Sequence, residues 1–241
     1  ECFIGERGRL KEKWMREVKQ KGDKRSQVEG EYNCLYLKKP NFLVGDTICP
    51  RLIELFDLLQ IVDNKIYLYQ VKEEFSHKAR DAASQIINAA KLIKEACEIE
   101  GHTLFKEWVE KLKSHKNQLK GGYEKLLQLA GVDEEDINAK EKAIKWLSEL
   151  FRSKEKKNIV FVYAFANKTA TDRHLQDDIL LVQRITEEIL LGLVTDFDPT
   201  LAAGFNAKLT IEAMLALKYL DTAGKFSWEF FSCTEERFVK S

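Results

Sequence analysis

The chain has 241 residues, 44% of them hydrophobic and 32% charged, and its 39 basic and 39 acidic side chains leave no net charge. That is enough apolar material for one large domain or two small ones around a real core, and the charge balance excludes a uniformly basic nucleic-acid glove. No apolar run approaches the roughly 20 residues of a membrane-spanning helix; the longest, DILLVQRITEEILLGLV, is broken by Gln183, Arg184, Glu187 and Glu188.

The first residues, ECFIGERGRLKEKW, are charged throughout and do not read as a signal peptide. With no initiator Met, the chain is expected to be a piece of a longer protein. Residues 1–30 carry a helical pattern on Leu10, Trp14 and Val18, within a basic cluster from Arg7 to Arg25. A second basic cluster, RSKEKKN, occupies 152–158. Such clusters are usually solvated faces, with phosphate contact as the alternative. Cys2, Cys34, Cys49, Cys97 and Cys233 show no CxxC spacing and no His at metal-ligand spacing. They read as small buried thiols in a reducing, intracellular compartment, cytoplasmic or nuclear.

Residues 32–75 change character. YNCLYLKK, RLIELFDLL and KIYLYQVKEEF are three strand-like runs, parted by turn signals at Pro40-Asn41, Gly45-Asp46 and Asp63-Asn64. A long helix follows over 76–99, with Ser76 as its N-cap and an apolar stripe of Ala79, Ala82, Ala83, Ile86, Ile87, Ala90 and Ile93. Residues 102–153 read as charged amphipathic helices that turn Leu104, Trp108, Leu112, Ile144, Leu147 and Phe151 inward, with breaks at Gly121-Gly122 and GVDEED. NIVFVYAFA at 158–166 is a buried strand, 174–194 and 207–223 are helical, and FSWEFFSCT is a last strand. This order predicts a mixed α/β fold with a central sheet. One domain is expected, with its core over about 1–100 and 158–241 and a helical insert over about 102–153.

The two strands before the long helix suggest chemistry. If they form a hairpin about Asp63-Asn64 with Val62 opposite Lys65, Asp57 stands opposite Gln70, with Cβ atoms about 5 Å apart. Lys72 is the next residue on Gln70's face. The rest of that face is Leu55, Leu59, Ile61, Ile66 and Leu68, so three polar groups meet where an apolar face is expected to reach water. A carboxylate and an amide carbonyl are hard oxygen ligands that suit Mg²⁺ or Mn²⁺, and the Val71 carbonyl can supply a further oxygen. A lysine beside such a site can orient or deprotonate water and neutralise developing charge on a phosphoryl group. A plain Asp57–Lys72 salt bridge at a sheet end, with Gln70 a polar spectator, is the competing reading.

Asp57, twelve intervening residues, then Gln70-Val71-Lys72 and a helix resembles the PD-(D/E)XK phosphodiesterase superfamily, closest to its Mrr-like restriction-endonuclease branch, where Gln-x-Lys replaces Glu-x-Lys. The resemblance covers roughly residues 42–93, and the segment is also similar to an uncharacterised, sporadically distributed bacterial family of that superfamily. It implies a restriction-endonuclease-like core, a central mixed β-sheet of four strands flanked by helices, with catalytic roles for Asp57, Gln70 and Lys72 and for Gln85 on the following helix. It also implies Mg²⁺ or Mn²⁺ held by Asp57, Gln70 and Val71, and a supporting Glu on the first helix, for which Glu17 and Glu31 both qualify. The chain departs from the pattern at Phe56, where Pro is usual, and at Gln70, where an acid is usual; the second departure leaves the number of metals open.

Other residues read more plainly. Glu54 and Asp57 would lie on opposite faces of a regular strand, so they form no carboxylate pair unless a bulge intervenes. Asp46 sits in a glycine turn. Of the four His residues, 77, 102, 115 and 174, only His77 lies near the motif, as a phosphate contact or a surface residue by the helix cap. Asp177-Asp178 reads as a solvated face, and P-loop, Gly-x-Ser-x-Gly and dinucleotide fingerprints are absent. The expected function is a metal-dependent nuclease, an effector domain of a larger defence-type or mobile-element protein. Its expected partners are nucleic acid, DNA ahead of RNA, and the rest of the polypeptide, with no membrane and with a homo-oligomer allowed for. The alternative is a catalytically inactive relative that binds nucleic acid or protein.

Overall fold

The computed structural model describes residues 33–63, 65–72, 78–99, 103–115, 119, 121–152, 158–166 and 226–233. Within them the strands are β1 (Phe42–Val44), β2 (Leu58–Val62), β3 (Lys65–Lys72), β4 (Asn158–Ala166) and β5 (Phe226–Cys233). The helices are α1 (Lys78–Glu98), α2 (Leu104–Ser114), α3 (Gly122–Ala130) and α4 (Ala139–Arg152), with 3₁₀ turns at Leu35–Lys38 and Pro50–Leu52. The readings on residues 1–30, Glu31, 76–77, 102 and 174–223 fall outside the described residues.

The sheet order is β1-β2-β3-β4-β5, antiparallel through β3 and parallel from β3 to β5. The fold is therefore mixed α/β with a mixed sheet, as expected. β4 reads as an unbroken apolar run because it sits between two parallel neighbours with both faces covered; Ile159, Val160, Phe161, Val162 and Ala164 are all buried.

Helix α1 packs against β3 and β4. Its contact face is rich in alanine, with Ala82, Ala89, Ala90 and Ala96 fully or almost fully covered, and small side chains let a helix lie close to a sheet. The helical layer α2–α4 packs on itself, on α1 and on β1, and shares one continuous core with the sheet. Phe105 stacks on Phe151 at 5.0 Å, and Trp108 meets Phe56 at 5.4 Å. The Arg152 guanidinium donates to the carbonyls of Ala96 and Ile99, meeting the exposed acceptors at the C-terminal end of α1. Gly131, at φ 65°, ends α3 in the left-handed conformation that favours glycine.

Two of the expected strands change. Within YNCLYLKK, Leu35–Lys38 forms a 3₁₀ turn rather than a strand, and the first strand is the shorter Phe42–Val44. RLIELFDLL is strand only from Leu58 onward: Pro50–Leu52 is a 3₁₀ turn, and residues 53–57 are irregular. Proline at the start of that turn and left-handed Arg51 and Leu52, at φ 52° and 65°, rule out an extended run there. β1 leads into the same loop at Gly45. A Cβ on Gly45 would sit 2.5 Å from the Phe56 ring and 2.8 Å from its carbonyl oxygen, so the loop closes only on glycine.

Candidate metal and phosphate site

The β2–β3 register is the expected one, with Val62 opposite Lys65 and Leu58 opposite Tyr69. Extending it one step places Asp57 across from Gln70. Asp57 itself stands just before the ladder. Its N–H donates to the Tyr69 carbonyl at 2.8 Å, while its own carbonyl accepts from the Gly45 N–H at 2.9 Å. In a regular strand both groups of one residue face the same neighbour, so the chain bends at Asp57. The bend carries the carboxylate across the end of the sheet, where Oδ2 accepts the Val71 N–H at 2.5 Å. Because N–H and C=O of a strand residue share an edge, the Val71 carbonyl lies on this same edge of β3.

The expectation that these groups sit where the face reaches water is overturned. Asp57 is 2% exposed and Gln70 1%, while Lys72 is half-buried. The loop from β1 to β2 closes on Asp57 through the Gly45 N–H, and α1 packs on β3. Among the described residues Gln70 has no hydrogen-bond partner on either Oε1 or Nε2, and burying an unpaired amide costs about 1–3 kcal/mol.

The reading of Glu54 also needs correction. The irregular stretch before Asp57 breaks strand alternation, and carboxylate oxygens of Asp46, Glu54 and Asp57 all come within 4.8 Å of one another. Glu54 is held from two sides: its Oε1 accepts the Thr47 N–H at 2.5 Å and its Oε2 the Gln85 Nε2–H at 3.1 Å. Gln85, expected at the site as the helix residue, reaches it through Glu54. Thr47, left-handed at φ 66°, also meets His115 Nε2 through its hydroxyl at 3.1 Å. With Arg51 and Leu52, three non-glycine residues of this short loop adopt the left-handed region, a concentration of strain that accompanies sites more often than scaffolds.

Glu54 carries a signal that reasoning on an unbroken strand overlooked: Pro50 lies four residues upstream, and a proline there makes regular alternation through 51–59 unsafe. His115 carries none, since its link to Thr47 spans 68 positions. His77, Glu17 and Glu31 lie outside the described residues.

The electrostatics are those of crowded acids. Burial pushes the Asp57 carboxyl well above the usual range, Glu54 pushes it further, the Lys72 ammonium and the Val71 N–H oppose this, and Asp46 adds a smaller upward push. Burial, with Glu54 next, also raises the nearby Cys49 thiol. The three converging carboxylates are hard-oxygen donors that suit Mg²⁺ or Mn²⁺; the buried Gln70 amide, unpaired among the described residues, and the Val71 carbonyl lie on the adjoining strand β3. No family model, curated protein or solved structure matches the chain.

Proposed function

We propose that the chain is a divalent-cation-dependent nuclease that hydrolyses phosphodiester bonds of nucleic acid, as the effector part of a larger polypeptide. The observation that carries this reading is the gathering of Asp46, Glu54 and Asp57, with Lys72 close enough to Asp57 to act on its charge. Asp57 and Glu54 would hold Mg²⁺ or Mn²⁺, with Asp46, the Gln70 amide oxygen and the Val71 carbonyl as further oxygens. A bound cation of this kind polarises a phosphoryl oxygen and makes a water molecule nucleophilic near neutral pH.

The chain's own groups do the rest. The Lys72 ammonium, close enough to Asp57 to oppose its raised pKa, orients the attacking water or offsets charge on the phosphoryl oxygens. The Val71 N–H fixes one Asp57 oxygen and leaves the other for the cation. Gln85 and the Thr47 N–H set the angle of Glu54, as partners behind a metal ligand commonly do.

The test is incubation of the purified chain with supercoiled plasmid and with single-stranded RNA, each with Mg²⁺, with Mn²⁺ and with EDTA. Cleavage that EDTA abolishes supports the reading, and the two substrates separate DNA from RNA. Binding to either nucleic acid without cation-dependent cleavage would replace the proposal with an inactive binding module.

A further inference from the structure

A cavity of about 490 Å³ opens where the end of α2 meets the first turns of α3 and α4; His115 lines it, and none of Asp46, Glu54 and Asp57 does. This volume lies in the range of small-molecule sites. Buried Leu112, Leu119 and Ala139 form its apolar part. The Tyr123 ring stands in its wall and already carries a cation, the Lys113 ammonium, 5.1 Å from the ring centroid.

The charges around it are unequal in their commitments. Asp136 is paired with Lys142, and Lys140 lies against Glu110 and Glu141. Glu124 and Glu134 also line the cavity and have no ion-pair partner among the described residues. The Tyr123 hydroxyl and His115 Nδ1 are buried in the same wall without hydrogen-bond partners among the described residues. Burial raises the Tyr123 pKa, and Glu141, Glu134 and Glu124 raise it further.

We propose that this cavity is a binding site for a small organic cation, an ammonium or guanidinium group on an apolar body. The cationic head lies on the Tyr123 face between Glu124 and Glu134, and the body rests on Leu112, Leu119 and Ala139. An aromatic face with flanking carboxylates is what selects an organic cation over its neutral isostere. Lys113 occupies the ring face in the free protein, so a ligand competes with it.

Three probes with one ring and different charge test this: tryptamine (cation), indole (neutral) and indole-3-acetate (anion), titrated calorimetrically into the full chain. Tryptamine is expected to bind tightest, by roughly threefold to thirtyfold over indole, the range of a cation on an aromatic face. Glu124→Gln with Glu134→Gln, and separately Tyr123→Leu, remove that preference. Lys113→Met, an exposed substitution that leaves the core untouched, tightens tryptamine binding because it removes the competing cation. Asp57→Asn leaves tryptamine binding as it was. The proposal fails if indole-3-acetate binds best or no probe binds at millimolar concentration. It fails equally if Lys113→Met weakens tryptamine binding, or if Asp57→Asn abolishes it, which would place the cation at the carboxylate cluster.

Discussion

The loop from Gly45 to Asp57 and the helical layer α2–α4 treat polar groups in opposite ways. In the helical layer the ion pairs are mostly surface features, such as Lys145–Glu149 one turn apart, and the interior is given to Trp108, Phe105, Leu147 and Phe151. In the loop, acids are brought together, one of them almost fully buried, and three residues hold left-handed backbone. Yet the two regions touch, since Phe56 of the loop packs on Trp108 of α2. Unfavourable polar burial is tolerated at the loop because a well-packed layer supports it from behind. That division of labour is common where a site must be rigid before its ligand arrives.

The sharpest break of this comparison is functional. Asp57→Asn and Lys72→Ala should each lower cation-dependent cleavage by about three orders of magnitude, on the order of 4 kcal/mol of transition-state stabilisation. Circular dichroism should be unchanged, since Asn can still accept the Val71 N–H. Near wild-type cleavage by either variant would remove the loop's claim to chemistry and leave an Asp57–Lys72 ion pair.

On the other side of the comparison, Trp108→Ala should destabilise the protein by about 3–5 kcal/mol, the usual loss for emptying a large buried aromatic position. Urea unfolding would read this as a lower midpoint. Cleavage by the fraction still folded should also fall, because Phe56 loses its support directly beside Asp57. Unchanged cleavage per folded molecule would mean that the loop holds its shape without the helical layer.

A third test titrates the loop. The Asp57 carboxyl is raised in the folded state, so the native protein holds its proton more tightly than the unfolded chain does. Its contribution to stability is full below the unfolded value of about 3.9 and is lost as pH rises through the raised folded value. Without metal, the wild-type melting temperature should therefore fall with rising pH over that window relative to Asp57→Asn, by roughly 2–4 °C per kcal/mol. Mg²⁺ should close the gap. Gln70→Glu adds a carboxylate across from Asp57. It should lower the metal-free melting temperature further, let Mg²⁺ restore at least as much as in wild type, and keep cleavage. A melting temperature of Gln70→Glu that ignores Mg²⁺ would show that position 70 faces no cation.

The smallest effect belongs to the helical surface. Lys145→Ala breaks an exposed pair one turn apart and should change stability by no more than about 0.5 kcal/mol, within a degree or two in melting temperature. A larger change would mean that the surface of this layer contributes as much as its core.

How much of this was legible depended on regularity. The helix from residue 78 to 98, the inward faces of Leu104, Trp108 and Leu112, and the buried strand 158–166 follow from period and composition. So does the β2–β3 register from Leu58–Tyr69 to Val62–Lys65, because a short turn and strict alternation leave one pairing; Asp57 lies just beyond that ladder. Those rules carry position only along an unbroken element. At Pro50, Arg51 and Leu52 the chain leaves it, and the placement of Glu54 stops following from its number. Tertiary structure decided that Glu54 and Asp46 join Asp57, that Gln85 acts through Glu54, that His115 meets Thr47 and that the polar strand end is buried rather than wet. The physical reason is the same in each case: local sequence sets which way a side chain points within its own element, but only the packing of α1, α2 and a bent loop over the strand ends sets what it meets there.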